Sequence, residues 1–243
     1  ASLHGNDLIN GSKNLLLDVT PLSLGIETMG GLMEKVISRN TPIPAIKEQT
    51  FTTSENGQTS LKIKILQGER ETSENNISLG EFVLSGLDPK PAGIPRIIVR
   101  FSIDVDGILV ITAIDESTGM KENLVIKTDD NINIKDLKEI VESSIKNAEE
   151  DVSFRMLIEW KIKAKKIINE IHYYQKDIEK LCEKKNIENI SNLINMLQKE
   201  LNKNDKDKIE QLYKKLNKET EFFAEKKIGS EFSNLVGQNT KDL

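Results

Sequence analysis

The residues with the chemistry for catalysis or metal binding are few. Cys182, His4 and His172 are the only cysteine and histidines in the chain. They are too few for a histidine-based metal site or for a thiol nucleophile with its base and orienting partner. Gly25 and Gly30-Gly31 do not make the G-x-G-x-x-G spacing that cradles phosphates, and they sit amid strand and turn patterns. No cluster combines nucleophile, base and orienting residue. The expectation from these residues is a chain that is not an enzyme and holds neither metal nor cofactor. Cys182 reads as an inert helix thiol, since a free cysteine usually behaves as a small hydrophobe. A single cysteine excludes an intramolecular disulfide and fits a reducing compartment.

Charge and hydropathy narrow the partners. The 243 residues carry a net charge of −5. Residues 1–130 hold 12 Lys+Arg against 18 Asp+Glu, whereas residues 131–243 hold 22 against 21. A nucleic-acid binder should show a basic stripe, and the first half is acidic; in the second half lysines alternate with glutamates as on solvated helix faces. No apolar run approaches the roughly 18 residues of a membrane span, and the first residues lack a signal peptide's pattern. The expected setting is cytoplasmic, without nucleic acid or membrane as partner.

The elements that must position any site change character near residue 130. Before it, short apolar runs alternate between turn signals. Candidate strands are Leu16–Val19, Met33–Ile37, Gln49–Thr53, Leu61–Leu66, Phe82–Leu84, Arg96–Asp104, Leu109–Ile114 and Glu122–Ile126. Leu61, Ile63 and Ile65 alternate with Lys62 and Lys64, as on a half-buried strand. Asn56-Gly57 and Asp106-Gly107 suit tight hairpins, which need positive φ. Eight such strands without intervening helices predict an antiparallel sandwich or barrel.

Beyond it, glycine is absent from Asn131 to Ile228 and proline does not recur. Leu157, Trp160, Ala164, Ile167, Ile171, Tyr174, Ile178 and Leu181 follow the 3-4 spacing of one helical stripe. Leu193, Ile194, Leu197 and Leu201 predict a second helix, and Ile209, Leu212, Leu216 and Phe223 a third. Lys184-Lys185-Asn186 and Asn202–Asp205 read as loops, with Asp205 as an N-cap. The fold class expected is therefore α+β in two domains, a β-sandwich over residues 15–130 and an all-α bundle over 131–243, joined near Asp129–Asn133.

The run from Leu15-Leu16-Leu17-Asp18 through Pro21-Leu22-Ser23-Leu24-Gly25-Ile26-Glu27-Thr28-Met29-Gly30-Gly31 resembles the start of the substrate-binding domain of the seventy-kilodalton heat-shock chaperones, the DnaK family. Asn40-Thr41-Pro42-Ile43-Pro44, Leu66-Gln67-Gly68-Glu69-Arg70 and Ile103-Asp104-Val105-Asp106-Gly107-Ile108-Leu109 are similar to further motifs of that family. Shorter matches, Gly30–Ile37, Asp151–Leu157 and Thr220–Ala224, resemble its HscA branch, which serves iron–sulfur cluster assembly.

The resemblance implies two four-stranded sheets capped by a helical lid. It implies that residues 1–14 are a remnant of the family's ATPase domain, with ATP bound in that missing domain. It implies a pocket for a peptide side chain formed by Ile26, Phe51, Leu61, Ile63 and Ile97. By the same resemblance Met29 and Ser54 arch over the peptide, Thr28 and Gln58 bond its main chain, and Leu15, Leu16, Leu17 and Asp18 form the interdomain linker. From the residues alone, the five pocket positions read as ordinary sandwich core.

Hydrophobic client peptides are the implied partners, with an iron–sulfur scaffold protein presenting a Leu-Pro-Pro-Val-Lys segment as the client of the HscA branch. A J-domain co-chaperone is implied for the full-length protein. The arginine and aspartate that latch the lid in the general pattern fall at Ala92 and Lys165, and the companion histidine at Asn169, so that ion pair cannot form. Arg70 and Asp151 are the lid contact expected to remain. A general-purpose DnaK-type chaperone and a helical oligomerisation scaffold are the alternative readings.

Overall fold

A computed structural model describes residues 18–127 and 134–238. Eight strands come first: β1 (Leu24–Thr28), β2 (Leu32–Ile37), β3 (Ala45–Phe51), β4 (Ser60–Gln67), β5 (Ile77–Ser85), β6 (Ile97–Ile103), β7 (Ile108–Asp115) and β8 (Lys121–Lys127). They form two four-stranded antiparallel sheets, ordered β2-β1-β4-β5 and β3-β6-β7-β8. Five α-helices follow among the described residues: α1 (Ile134–Lys146), α2 (Ala148–Tyr173), α3 (Gln175–Leu181), α4 (Lys184–Lys203) and α5 (Lys206–Gln238). The chain divides into two compact units between Asp151 and Val152. The junction expected at Asp129–Asn133 lies outside the described residues, as do residues 1–14 and Leu15, Leu16 and Leu17.

Period-two alternation builds the first core. On β7, Leu109, Ile111 and Ala113 are fully buried while Val110, Thr112 and Ile114 are half-buried. Ile97, Val99, Phe101 and Ile103 of β6 and Leu24, Ile26, Ile63 and Ile65 of the other sheet join them in one apolar cluster. Strict alternation fails on β4, where Ile65 and Leu66 are both buried. The pairing register slips between them, and such a bulge turns the following side chain to the opposite face.

The β1 strand was not among the expected strands. Pro21 and Gly25 mimic turn punctuation there, but Gly25 marks a second irregularity in pairing, between Leu24 and Gly25. A Cβ at Gly25 would stand 2.2 Å from the Glu34 carbonyl oxygen, so only glycine fits against β2. The expected strand at Leu16–Val19 reduces, among its described residues, to one bridge between Val19 and Pro42. The strand expected at Gln49–Thr53 starts earlier and ends at Phe51.

Asn56-Gly57 does not make a hairpin. The strands on either side of it, β3 and β4, belong to different sheets, and Gly57 N–H donates instead to Lys90 O at 2.9 Å. Asp106-Gly107 does close the β6–β7 hairpin. There Gly107 has φ 74°, and the Asp104 carboxylate accepts from the Asp106 and Ile108 amides at 2.9 Å each.

In the second unit, Ala164, Ile167, Ile168 and Ile171 of α2 pack with Ile178, Ile190, Leu197, Ile209 and Leu216. The expected stripe is cut by a break at Tyr174, although Tyr174 N–H still donates to Glu170 O and Ile178 N–H to Tyr174 O, both at 3.0 Å. Tyr174 is 38% exposed, and Ile168 takes a core place that the stripe omitted. Lys184-Lys185-Asn186 is the first turn of α4 rather than a loop. Asn204 ends α4 at φ 61°. Asp205 then accepts the Lys208 amide at 3.1 Å, a side-chain cap on the opening of α5.

Candidate peptide groove and the Arg70–Asp151 pair

The five apolar positions named for the pocket share one cluster. Ile26, Ile63 and Ile97 are at most 4% exposed, while Phe51 and Leu61 are half-buried against them. Their strands explain this. Ile26 pairs with Glu34 on one side and Ile65 on the other; Ile63 stands opposite Phe82 and Leu61 opposite Leu84. Phe51, the last residue of β3, stands opposite Ile97, the first of β6. Three of the five are thus core residues, and Phe51 and Leu61 keep part of their surface accessible.

The loop residues are held by short-range bonds. Met29 occupies the turn from β1 to β2 and is 46% exposed. Gly31 N–H donates to Thr28 O at 3.1 Å, and Gly30 takes the φ of 83° that the turn's third residue requires. The Thr28 hydroxyl donates to Leu32 O at 3.4 Å. Ser54 N–H donates to Gln58 Oε1 at 3.1 Å, and Gln58 Nε2 donates to Ser60 O at 2.7 Å. Asp18 is exposed, and its carbonyl accepts the Ile43 amide at 2.9 Å.

Arg70 and Asp151 form a two-pronged pair. Arg70 Nε donates to Asp151 Oδ2 at 2.6 Å and Nη2 to Oδ1 at 2.8 Å, while the Glu71 amide adds a third bond at 3.2 Å. The side chains are only 15% and 7% exposed. Hydrogen bonding to Asp151 raises the Arg70 pKa. Bonding from Arg70, assisted by the Glu71 amide, holds the Asp151 carboxyl below its ordinary value against the opposing effect of burial.

Three polar arrangements were not anticipated. Glu69 accepts from the Ser23 amide at 2.8 Å and the Ser23 hydroxyl at 3.2 Å, and it pairs with Lys35 at 3.2 Å. Asp115 is 1% exposed. Burial pushes its pKa up, but the Ser117 amide and the Ser117 and Thr118 hydroxyls bring it below the ordinary value. The Asp115-Glu116-Ser117-Thr118-Gly119 string carries the composition of such a turn. Asn56 Oδ1 accepts the Ala92 amide at 2.8 Å across 36 residues, a distance no local pattern signals. A separate cleft, lined by Ile171, His172, Ile190 and Ile194, belongs to the helical unit.

The chain thus combines an antiparallel double sheet around one apolar cluster with a set of helices around a second. The Hsp70 protein family model matches residues 3–228, and the chain belongs to the Hsp70 family. It is 37% identical over 242 residues to the chaperone protein HscA homolog of Shewanella amazonensis, covering 98% of this chain and 39% of that one. It is 40% identical over 217 residues to the chaperone protein HscA of Shigella boydii, covering 89% and 35%. A similar relation, 39% over 226 residues, holds with the HscA homolog of Acinetobacter baylyi, covering 92% and 36%. The chain thus spans under two-fifths of the length of these curated relatives.

The family match overturns the expectations that the chain is not an enzyme and holds no cofactor. Both rested on assigning the ATPase to a domain missing from this chain, supported by the lack of one glycine spacing and of a catalytic cluster. Backbone amides in other turns also bind phosphate, so that lack excludes neither ATP binding nor hydrolysis.

Proposed function

We propose that this chain captures short, extended hydrophobic peptide segments of client proteins as the substrate-binding part of an ATP-dependent chaperone. The observation that carries the reading is the single cluster of Ile26, Ile63 and Ile97 with Phe51 and Leu61 half-exposed at its edge. Such a rim takes one aliphatic side chain, whose burial contributes roughly 1.5–3 kcal/mol. Main-chain hydrogen bonds from Thr28 and Gln58 would supply affinity that does not depend on client sequence. In this reading the helices serve as a lid, the Arg70–Asp151 pair fastens the start of α2, and Leu15 to Asp18 serve as the interdomain linker.

On the resemblance to the HscA branch, the client proposed is an iron–sulfur scaffold protein and the partner a J-domain co-chaperone; the single cysteine fits the cytoplasm as the proposed setting. The acidic β-rich half favours a cation beside the aliphatic core of the peptide. Fluorescence anisotropy with a labelled peptide containing Leu-Pro-Pro-Val-Lys, and with its scramble, tests this. Preference for the ordered peptide at micromolar affinity, about −8 kcal/mol, is expected. Equal binding of the two removes the scaffold client and leaves peptide capture. Failure of both to bind removes peptide capture.

A further inference from the structure

Four hydrogen bonds lace the segment that carries Ser54 and Gln58 to the loop before β6. Gly93 N–H donates to Thr53 O at 3.1 Å, Gly57 N–H to Lys90 O at 2.9 Å and Leu87 N–H to Thr59 O at 3.0 Å. The fourth runs from the Ala92 amide to Asn56 Oδ1 at 2.8 Å. Three of the four are main chain to main chain and survive most substitutions. The Asn56 bond alone among them depends on a side chain. Thr53, at 2% exposure, anchors one end of the laced segment in the protein interior, and Gly57 and Gly93 take φ of 72° and 84° where the two loops meet.

We propose that Asn56 is a positioning residue of the peptide groove. Its carboxamide fixes the 53–58 loop against residues 90–93, and so holds Ser54 and the Gln58 amide at a constant place beside the rim formed by Phe51 and Leu61. The inference rests on the peptide-capture reading above. Asn56 itself touches no ligand in this scheme. It acts through Ser54, whose amide is bonded to Gln58 Oε1, and through the Gln58 bond to Ser60. A groove with this lace intact opens less often, so both entry and escape of a peptide are slowed.

The test compares the parent with Asn56→Ala and Asn56→Asp, the latter keeping an acceptor oxygen for the Ala92 amide. Stopped-flow rates for the Leu-Pro-Pro-Val-Lys peptide are measured alongside hydrogen exchange of the Ala92 amide. Asn56→Ala should speed association and dissociation together, each by about threefold, as loss of one solvent-facing hydrogen bond allows. Asn56→Asp should stay within about twofold of the parent. Exchange at Ala92 should accelerate in Asn56→Ala and not in Asn56→Asp. A merely structural loss would change affinity through one rate or lower the unfolding midpoint without rescue by aspartate. Unchanged rates in an Asn56→Ala protein whose parent binds peptide overturn the inference alone. A parent that binds no peptide overturns the functional reading and this role together.

Discussion

Arg70 on the segment after β4 grips Asp151 on α2 through two parallel hydrogen bonds of 2.6 and 2.8 Å, 81 residues apart in sequence. Both side chains are largely shielded from water, which distinguishes the pair from exposed ion pairs of small net value. Truncating one partner leaves the other charge poorly solvated, and that penalty exceeds the worth of the bond itself.

Asp151→Asn should therefore lower unfolding free energy by about 2 kcal/mol near neutral pH, since hydrogen bonds to charged groups are worth roughly 1.5–3 kcal/mol. The Asp151 carboxyl titrates lower in the folded chain than its ordinary value. Its stabilising contribution is thus full above the unfolded value of about 3.9 and vanishes as pH falls through the lowered folded value. Urea unfolding at pH 7 and at acid pH checks this. The gap between parent and variant should shrink only in acid, and a gap unchanged down to pH 2 would refute it.

Gly25→Ala should be disproportionately destabilising for one methyl group. The added Cβ meets backbone, the Glu34 carbonyl, which cannot rotate away. A loss of about 1–3 kcal/mol follows from comparable overpacking, read as a lower denaturant midpoint. Parental stability would show that β1 and β2 can separate at no cost.

Phe101→Ala removes the largest fully buried side chain of the first unit and should cost about 3–5 kcal/mol. Differential scanning calorimetry should show the β-rich unit melting earlier. The helical unit has its own cluster, and its transition should stay in place. A joint shift of both transitions would mean the two units melt as one.

Leu61→Trp bears on function. Leu61 is half-buried at the rim of the apolar cluster, and an indole there should fill the space offered to a peptide side chain, with about 1–3 kcal/mol of strain. Anisotropy titration should find peptide binding weakened at least about tenfold, or 1.4 kcal/mol. A folded variant that binds like the parent would place the groove elsewhere.

Seven of the eight strands were anticipated from the sequence in type, because alternation such as Leu61, Ile63, Ile65 directly reports a one-sided core. The missed strand, β1, lies between two neighbours and carries glycine at a bulge, so that its local composition reads as a turn. Asn56-Gly57 erred in the other direction: the dipeptide has hairpin chemistry, but its flanking strands belong to different sheets, and sheet membership is a long-range property. The five apolar candidates could be named through resemblance, yet alternation could not tell the half-buried Phe51 and Leu61 from the buried Ile26, Ile63 and Ile97. Glu69 with Ser23, and Asn56 with Ala92, join segments dozens of residues apart and leave no periodic trace.

The central place of β1 also bears on how the molecule yields to tension. A pull transmitted along the chain from Asp18 reaches β1, which is tied laterally to β2 and β4, so rupture there means sliding two ladders at once. At the other end of the sheets, β8 is bonded only to β7 within its sheet and is largely exposed along its length. A strand held by one ladder offers less lateral resistance than β1, which is held by two.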